Sequence, residues 1–571
     1  MAGSHVAIAS ERAKNVECYD LIVIGGGGAG LSAALFGTIR GARVLLLEST
    51  EYVGGTTAFS GGTIWIPNTF HAAEVGAQDS VEQAEIFLHN ALGNYASEEL
   101  IRAFLLAGPR AVELLDRETD VKLRPYPLHP DYMSDLPGAT MKGRALEPVP
   151  FDGRLLGDKF DLVRPPIPEF TILNGLMVDR NDIAHLLNLK KSWVSFRYSL
   201  ALVARYARDK LSHKRGTRLT MGNALIGRLL HSFFKRGGTI WTQAQVDKLI
   251  EEDGRIAGVS FVRDGKRQDV HAVHGVILAS GGFNRSPNLR KALVPDADIH
   301  TPGAPGHKGA ALELALSAGG RIGDRNVENV FWAPVSIRQR ADGTKAVFPH
   351  FVFDRAKPGT VIVNSAGRRF FNESTSYHLT GKAMIEANRN EPCIPAFLIA
   401  DHQAIKTYGL GMVRPGGSGM SFLLKDGYLV KGETLAELAG RLGVDAKQLQ
   451  RTVETFNGYA ATGIDPDFGR GTTAYERNLG DPKNSPNPTM RPLEKGPFYA
   501  VKLYPGDIGA SAGLVTDPRA RVLGKSGPIG GLYAVGNDQN SVMAGTYPAP
   551  GITLGPAIAF AYIAVEDALA G

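Results

Sequence analysis

The chain has 571 residues, 43% of them hydrophobic and 21% charged, the composition of a globular protein long enough for two or more domains with buried cores. Its only two cysteines, Cys18 and Cys393, exclude a disulfide framework and a thiolate-held metal cluster, and no metal site is expected. The net charge of +6 is concentrated: residues 187–236 hold twelve Lys and Arg against Asp209 alone, which leaves the rest of the chain net acidic.

Residues 1–20 carry charges and lack the apolar core of a signal peptide, and Met1–His5 is set aside as an untidy start. No run of about 18 apolar residues follows, so a spanning helix is not expected and a cytoplasmic location is. The first predicted strand is Asp20-Leu-Ile-Val-Ile24, followed at once by Gly25-Gly-Gly-Gly-Ala-Gly30 and the helical run Leu31–Phe36. A second strand, Arg43–Leu47, ends at Glu48. Gly25, Gly27 and Gly30 have the G-x-G-x-x-G spacing in a strand–turn–helix–strand context. Without Cβ atoms such a backbone can close on a pyrophosphate, and the helix N-terminus aims free N–H groups at it. Glu48 is placed to accept ribose hydroxyls.

A second glycine-rich run with hydroxyls, Gly54-Gly-Thr-Thr-Ala-Phe-Ser-Gly-Gly62, follows after a short loop and can trace the rest of a long cofactor. Within the basic stretch, Ser195–Arg208 has apolar residues broken by arginines at helical spacings. It reads either as a solvated helix face or as an amphipathic helix resting on anionic lipid. Nucleic acid is not expected, because no recognised nucleic-acid module accompanies the charge. Val276-Ile-Leu-Ala-Ser-Gly-Gly-Phe283 is a buried strand and turn, and the polar, Pro- and Gly-rich residues 464–497 read as a surface connection. Near the C-terminus, Thr546-Tyr-Pro-Ala-Pro-Gly-Ile-Thr-Leu-Gly-Pro-Ala557 leads into an apolar helix predicted from Ile552 to Ala568. Two prolines stiffen that approach, and Gly551 can turn its backbone N–H toward a ligand. With the phenol of Tyr547 it can form an oxyanion-hole pair for a ketone that becomes an enolate.

Gly54–Gly62, Val276–Phe283 and Gly531-Leu-Tyr-Ala-Val-Gly-Asn537 resemble, in order, elements of the fumarate reductase-like flavoproteins. The resemblance implies FAD, held non-covalently, in an α/β Rossmann-like (GR2-type) domain. That domain is discontinuous, 1–286 and 497–571, with an inserted α+β catalytic cap at 287–496. The basic stretch 187–236 is then an insertion of the first domain, either membrane-facing or solvated. The cofactor set implied is Gly25, Gly27, Gly28, Ala29, Gly30, Glu48, Ser49, Gly54, Gly55, Thr56, Thr57, Ser60, Gly61, Gly62, Val246, Ala279, Ser280, Gly281, Gly536, Asn537, Gly551, Ile552 and Leu554.

Residues 546–557 resemble the C-terminal signature of 3-ketosteroid Δ1-dehydrogenases. Gly54–Pro67, Gly513–Asp517 and Arg369–Tyr377 extend the likeness over nearly the whole chain. The resemblance implies that Tyr547 and Gly551 hold the C3 carbonyl oxygen, that Tyr377 removes the C2 proton, and that Tyr132 assists it. Hydride passes from C1 to the flavin N5. Tyr126 competes with Tyr132, but Leu136-Pro-Gly138 fits the register of Tyr132 better. A phenol that takes such a proton must be partly ionised, so its neighbours are expected to favour the phenolate. The implied partners are a 3-ketosteroid and a quinone-like or other acceptor. Two alternatives stand beside this reading: a 3-ketosteroid Δ4-(5α)-dehydrogenase and a fumarate reductase-like enzyme. Arg414 is the residue to watch for the latter, although Ile508–Gly513 lacks the histidine of that pattern.

Overall fold

The computed structural model describes residues 17–352 and 354–571, so the expectations for residues 1–16 lie outside it. The first predicted strand runs from Glu17 to Ile24, pairing in parallel with Val44–Leu47 on one side and Lys266–Leu278 on the other. Its residues alternate between two buried faces. Leu21 and Val23 join the core beneath helix Gly28–Ile39, and Ile22 and Ile24 join the core on the opposite side. A parallel sheet covered on both faces needs such a continuous apolar run, as Leu21–Ile24 supplies.

This sheet has eight strands. Thr239–Trp241 extends it beyond Val44–Leu47, and the antiparallel set Gln245–Glu252, Arg255–Arg263 and Lys266–Leu278 builds the other flank. The C-terminal strand Gly527–Ala534 lies parallel to Lys266–Leu278, so residues some 250 positions apart share one sheet. Helix Leu554–Ala570 then returns across the first helix, Phe36 meeting Tyr562 edge to face at 5.5 Å.

A second sheet of six strands holds Val330–Gln339, Lys345–Pro349, Thr360–Val363, Ala396–Ala400 and Val430–Gly432 around the long strand Phe498–Ala510. The boundary expected at 497 falls just ahead of that strand, yet its ladders run to 330–335, 396–400 and 430–432. We therefore propose that the chain crosses back to the first domain after Ala510, because the strand supplies the backbone partners for both halves of the cap sheet.

The basic stretch divides. Helix Met221–Lys235 is largely buried, and its Arg228 donates inward to the carbonyls of Asp120, Val149 and Pro150. Helix Trp193–Asp209 lies on the surface. Among the described residues no helix is long and apolar enough to cross a membrane.

Candidate active site

The glycine-rich segments meet around one point. Gly25 has φ +108° with its Cα against Ala279 and Ser280, and a Cβ on Gly30 would collide with the Gly25 carbonyl. Gly54 N–H donates to the Gly26 carbonyl at 2.7 Å, and Gly28 packs on Thr57 and Leu554. Gly536 closes on Ala29. Gly27 is different: a Cβ there would meet nothing within 4 Å, and no side chain caps the helix that starts beside it. Close-packed glycine backbone around an unclaimed space at a helix N-terminus fits a dinucleotide pyrophosphate. Gly25–Gly30, Gly54–Thr57, Ala279–Gly281, Gly536 and Leu554 would hold it. Ser49 lies beside Gly306, and Ser60, Gly61 and Gly62 continue the second loop toward Thr63. Asn537 stands against Gly282 and Gly509, and Val246 sits in the core on the far side of the sheet.

Glu48 is buried and already accepts from the N–H groups of Gly26 and Thr50, each at 2.8 Å, and from the Thr50 hydroxyl at 2.7 Å. It therefore holds the two loops together. Two residues not expected from the sequence join this cradle. Asp538 accepts from the Ser280 and Gly282 N–H groups and from the Ser280 hydroxyl, and burial pushes its carboxyl up to about 6. His307 is enclosed between Gly55, Gly281 and Gly303 with Nδ1 unpaired, and burial pushes it down to about 4. A lone histidine or aspartate in a loop carries no spacing signal, so neither was legible beforehand.

The four residues expected to do chemistry come from two loops and the start of one helix. Asp131 anchors the first, accepting from Trp65 Nε1 at 2.8 Å, from Thr140 N–H at 2.9 Å and from Arg144 at 3.0 Å. The next residue, Tyr132, donates its backbone N–H to the Pro548 carbonyl at 2.7 Å, tying this loop to the one that carries Tyr547. Tyr377 opens helix Tyr377–Ala387, capped by Ser376. The Tyr132 hydroxyl donates to that of Tyr377 at 3.3 Å, and the Tyr377 and Tyr547 rings stand 5.1 Å apart. Tyr126 makes a separate contact, its hydroxyl 3.1 Å from Thr63 Oγ1. Gly551 has φ +86°, and a Cβ there would press on Thr63 and Ile64 at 2.5–2.9 Å. Among the described residues nothing accepts its N–H. The helix behind it starts at Leu554, two residues later than expected, after the turn at Gly551–Thr553.

One expectation fails. The neighbouring side chains do not favour a phenolate: burial, then the facing phenols, push Tyr132 and Tyr377 well above the ordinary tyrosine range, and burial raises Tyr547. Two positive features stand near these phenols, the N-terminal end of the helix that Tyr377 begins and Arg355. That guanidinium is buried, coupled to Tyr132, Tyr377 and Tyr475, and held by the carbonyls of His350, Phe351, Glu373 and Thr375.

Aromatic rings line the cluster. Phe331 meets Tyr547 at 5.2 Å, Phe351 meets Tyr377 at 4.8 Å, and Tyr475 meets Tyr132 at 4.6 Å. His378 accepts the Trp332 N–H on Nδ1 and is pushed down to about 3 by burial, so it packs here as a neutral ring. Arg414 is not part of this group; it donates to the Thr171 carbonyl in an outer cleft shared with Glu169 and Arg338.

Residues 20–554 match the family model described as FAD binding domain, and the chain belongs to that family; it is a flavoprotein. Within the family it groups with ring-ketone dehydrogenases. It is 39% identical to a 4-oxocyclohex-2-ene-1-carboxylate 5-dehydrogenase of Sinomonas cyclohexanicum, over 97% of this chain and 94% of that one. It is 36% identical to a 3-oxosteroid 1-dehydrogenase of Mycolicibacterium smegmatis, over 96% and 97%. The crystal structure of a 3-ketosteroid Δ1-dehydrogenase from Sterolibacterium denitrificans with 1,4-androstadiene-3,17-dione superposes with a TM-score of 0.88 at 32% identity, covering 97% of this chain and 100% of that one.

Proposed function

We propose that this enzyme is an FAD-dependent 3-ketosteroid Δ1-dehydrogenase, introducing a double bond between C1 and C2 of a 3-ketosteroid. The observation that carries the reading is the meeting of three phenols, Tyr132, Tyr377 and Tyr547, beside the free N–H of Gly551. The Tyr547 hydroxyl and Gly551 N–H hold the ketone oxygen and stabilise the charge that gathers there as the α-proton leaves. Tyr377 takes that C2 proton, and Tyr132 donates to its oxygen, stabilising the anionic phenol. Bound FAD supplies the hydride acceptor. The aromatic lining excludes water, and we take a quinone-like compound as the final acceptor, met at a membrane that the 187–236 region touches peripherally.

The Sinomonas relative favours a second reading, the same dehydrogenation on a single-ring ketone bearing a carboxylate. A buried carboxylate needs a cation, and Arg355, the buried cation coupled to the tyrosines, already donates to backbone carbonyls. Phe331, Phe351 and Tyr475 suit an apolar ring system better. The test is product analysis after incubating FAD-loaded enzyme and a dye acceptor with 4-androstene-3,17-dione or with 4-oxocyclohexanecarboxylate. A 1-ene steroid supports the first reading; turnover of the carboxylate alone defeats it and leaves the tyrosine chemistry standing.

A further inference from the structure

Helix Trp193–Asp209 is built inside out. The side turned to the protein carries Ser195, Ser199 and Asp209 beside Leu202 and Tyr206. Two of these polar groups are paired there: Ser195 Oγ lies 3.2 Å from His185 Nδ1, and Asp209 accepts from the Thr217 N–H at 2.9 Å and hydroxyl at 2.7 Å, while Ser199 Oγ is buried without a partner among the described residues. The outward side carries Trp193, Phe196 and Leu200, one helical turn apart, with Trp193 71% exposed and stacked on Phe196 at 5.3 Å. Leu187 before the helix and Leu211 after it, the latter 87% exposed, extend the apolar strip. An apolar strip of this size held open to solvent calls for a partner.

The charges say which. Lys190, Lys191, Arg197 and Arg208 flank the strip, and none has a carboxylate partner among the described residues. The nearby acids are turned inward or paired: Asp182 to Arg218 and Tyr198, Asp152 to Arg154 and Arg205. A second copy of the chain would press the same cationic strip against itself, which like charges oppose. An anionic bilayer complements both features, its headgroups meeting the cations while Trp, Phe and Leu enter the acyl boundary.

We propose that the outward face of helix Trp193–Asp209 lies flat on the surface of an anionic phospholipid membrane. The helix has 17 residues, giving a contact of about 25 Å along the bilayer plane. Its far end packs on the turn at Leu173 and Asn174 through the Tyr206 hydroxyl, and that turn lines the cleft closed by Arg338 and Arg414. The attachment is independent of which ring ketone the enzyme oxidises.

The test is co-sedimentation of the full-length, FAD-loaded protein with phosphatidylcholine vesicles, with and without a third of phosphatidylglycerol. Wild type is expected to bind the anionic vesicles. The triple variant Trp193→Ser, Phe196→Ser, Leu200→Ser and the double variant Arg197→Glu, Arg208→Glu are each expected to bind at least about tenfold more weakly, with dye-linked turnover unchanged. Brominated phosphatidylglycerol should quench wild type more than Trp193→Phe, a conservative change that keeps the fold. The proposal is overturned if wild type stays in the supernatant, if both multiple variants bind as wild type does, or if Trp193→Phe is quenched equally. It is also overturned if lipid-free ultracentrifugation shows a dimer that the triple variant dissociates, since the strip then belongs to a second copy.

Discussion

Tyr132 and Tyr377, 245 positions apart in the chain, stand hydroxyl to hydroxyl at 3.3 Å, with Tyr132 donating. The direction matters, because a donor strengthens its bond as the acceptor gains negative charge. On the proposed roles, Tyr377→Phe removes the proton acceptor itself and is expected to lower kcat by about 10²- to 10⁴-fold. Tyr132→Phe removes one hydrogen bond to a charged group, about 1.5–3 kcal/mol, or roughly ten- to a hundredfold in rate. Stopped-flow bleaching of the bound flavin by ketosteroid measures both. Equal losses in the two variants would contradict the division of roles.

The pair proposed to hold the ketone separates by a different pair of substitutions. Tyr547→Phe leaves the ring in its contacts with Phe331 and Tyr377 and removes only the hydroxyl, so folding is expected to survive. Its cost is that of one oxyanion donor, about 10²- to 10³-fold in kcat. Gly551→Ala must instead hold φ +86° and push against Thr63 and Ile64. Backbone strain of that kind costs about 1–3 kcal/mol, so thermal denaturation should detect Gly551→Ala and not Tyr547→Phe.

The tyrosine cluster sets a pH dependence of activity and of stability with opposite signs. Burial holds Tyr377 well above the usual value of 10. With Tyr377 as the proposed base, the phenolate is the active form, and kcat/KM should rise through the alkaline range without reaching a plateau by pH 10. The folded-state value is raised above the unfolded one, so the stability gained by keeping the phenol neutral is fully present below about pH 10 and is lost as pH climbs through the folded value. Melting temperature should therefore fall above pH 10 while initial rates still increase. Tyr377→Phe should lose the rate slope. A rate profile flat from pH 7 to 10 in the wild type would show that the base titrates elsewhere.

Much of the frame was legible because its signals are local. The strand–glycine–helix run at 20–36 fixes a parallel strand, a tight turn and a buried helix within one stretch, and helix Gly28–Ile39 has no polar face to misplace it. The signature at 546–557 likewise places a phenol and a positive-φ glycine four residues apart. What could not be read are relationships made by folding. Strand Phe498–Ala510 looked like part of the returning domain, because nothing in a single strand reveals which ladder it joins. The environment of Tyr377 was expected to favour its anion, yet the phenols that assemble around it bring burial with them, and the buried Arg355 beside them has no sequence pattern at all. The 187–236 charge run reads as one feature and folds as two, a buried helix and an exposed one.

The cofactor cradle offers a test that does not pass through turnover. Asp538 accepts from two backbone N–H groups of the Ser280–Gly282 turn and from the Ser280 hydroxyl, joining the strand end at Leu278 to the turn after Ala534. Asp538→Ala leaves those buried donors without a partner, which costs about 1–3 kcal/mol. The variant should melt lower and release FAD more readily, seen as flavin fluorescence appearing on dilution. Asp538→Asn keeps an acceptor oxygen and should fall between the two. Should Asp538→Ala retain FAD as wild type does, the turn is held by its backbone alone.

Tyr475 presses its ring on Tyr132 at 4.6 Å, is fully buried, and its hydroxyl has no hydrogen-bond partner among the described residues. A buried, unpaired phenol is costly, about 1–3 kcal/mol, so a protein keeps one only if the hydroxyl has a task or the ring alone is needed. The two cases predict different phenotypes. If the ring alone matters, Tyr475→Phe is neutral or stabilising and leaves KM and kcat as they are. If the hydroxyl meets the substrate, Tyr475→Phe raises KM for the steroid without changing the alkaline slope that Tyr377 sets. We expect the second outcome, because the ring packs on Tyr132, one of the phenols proposed to act, and the buried hydroxyl has no partner among the described residues. Steady-state kinetics with Tyr475→Phe against a melting curve of the same variant decides it: a higher melting temperature with unchanged KM would reduce Tyr475 to packing.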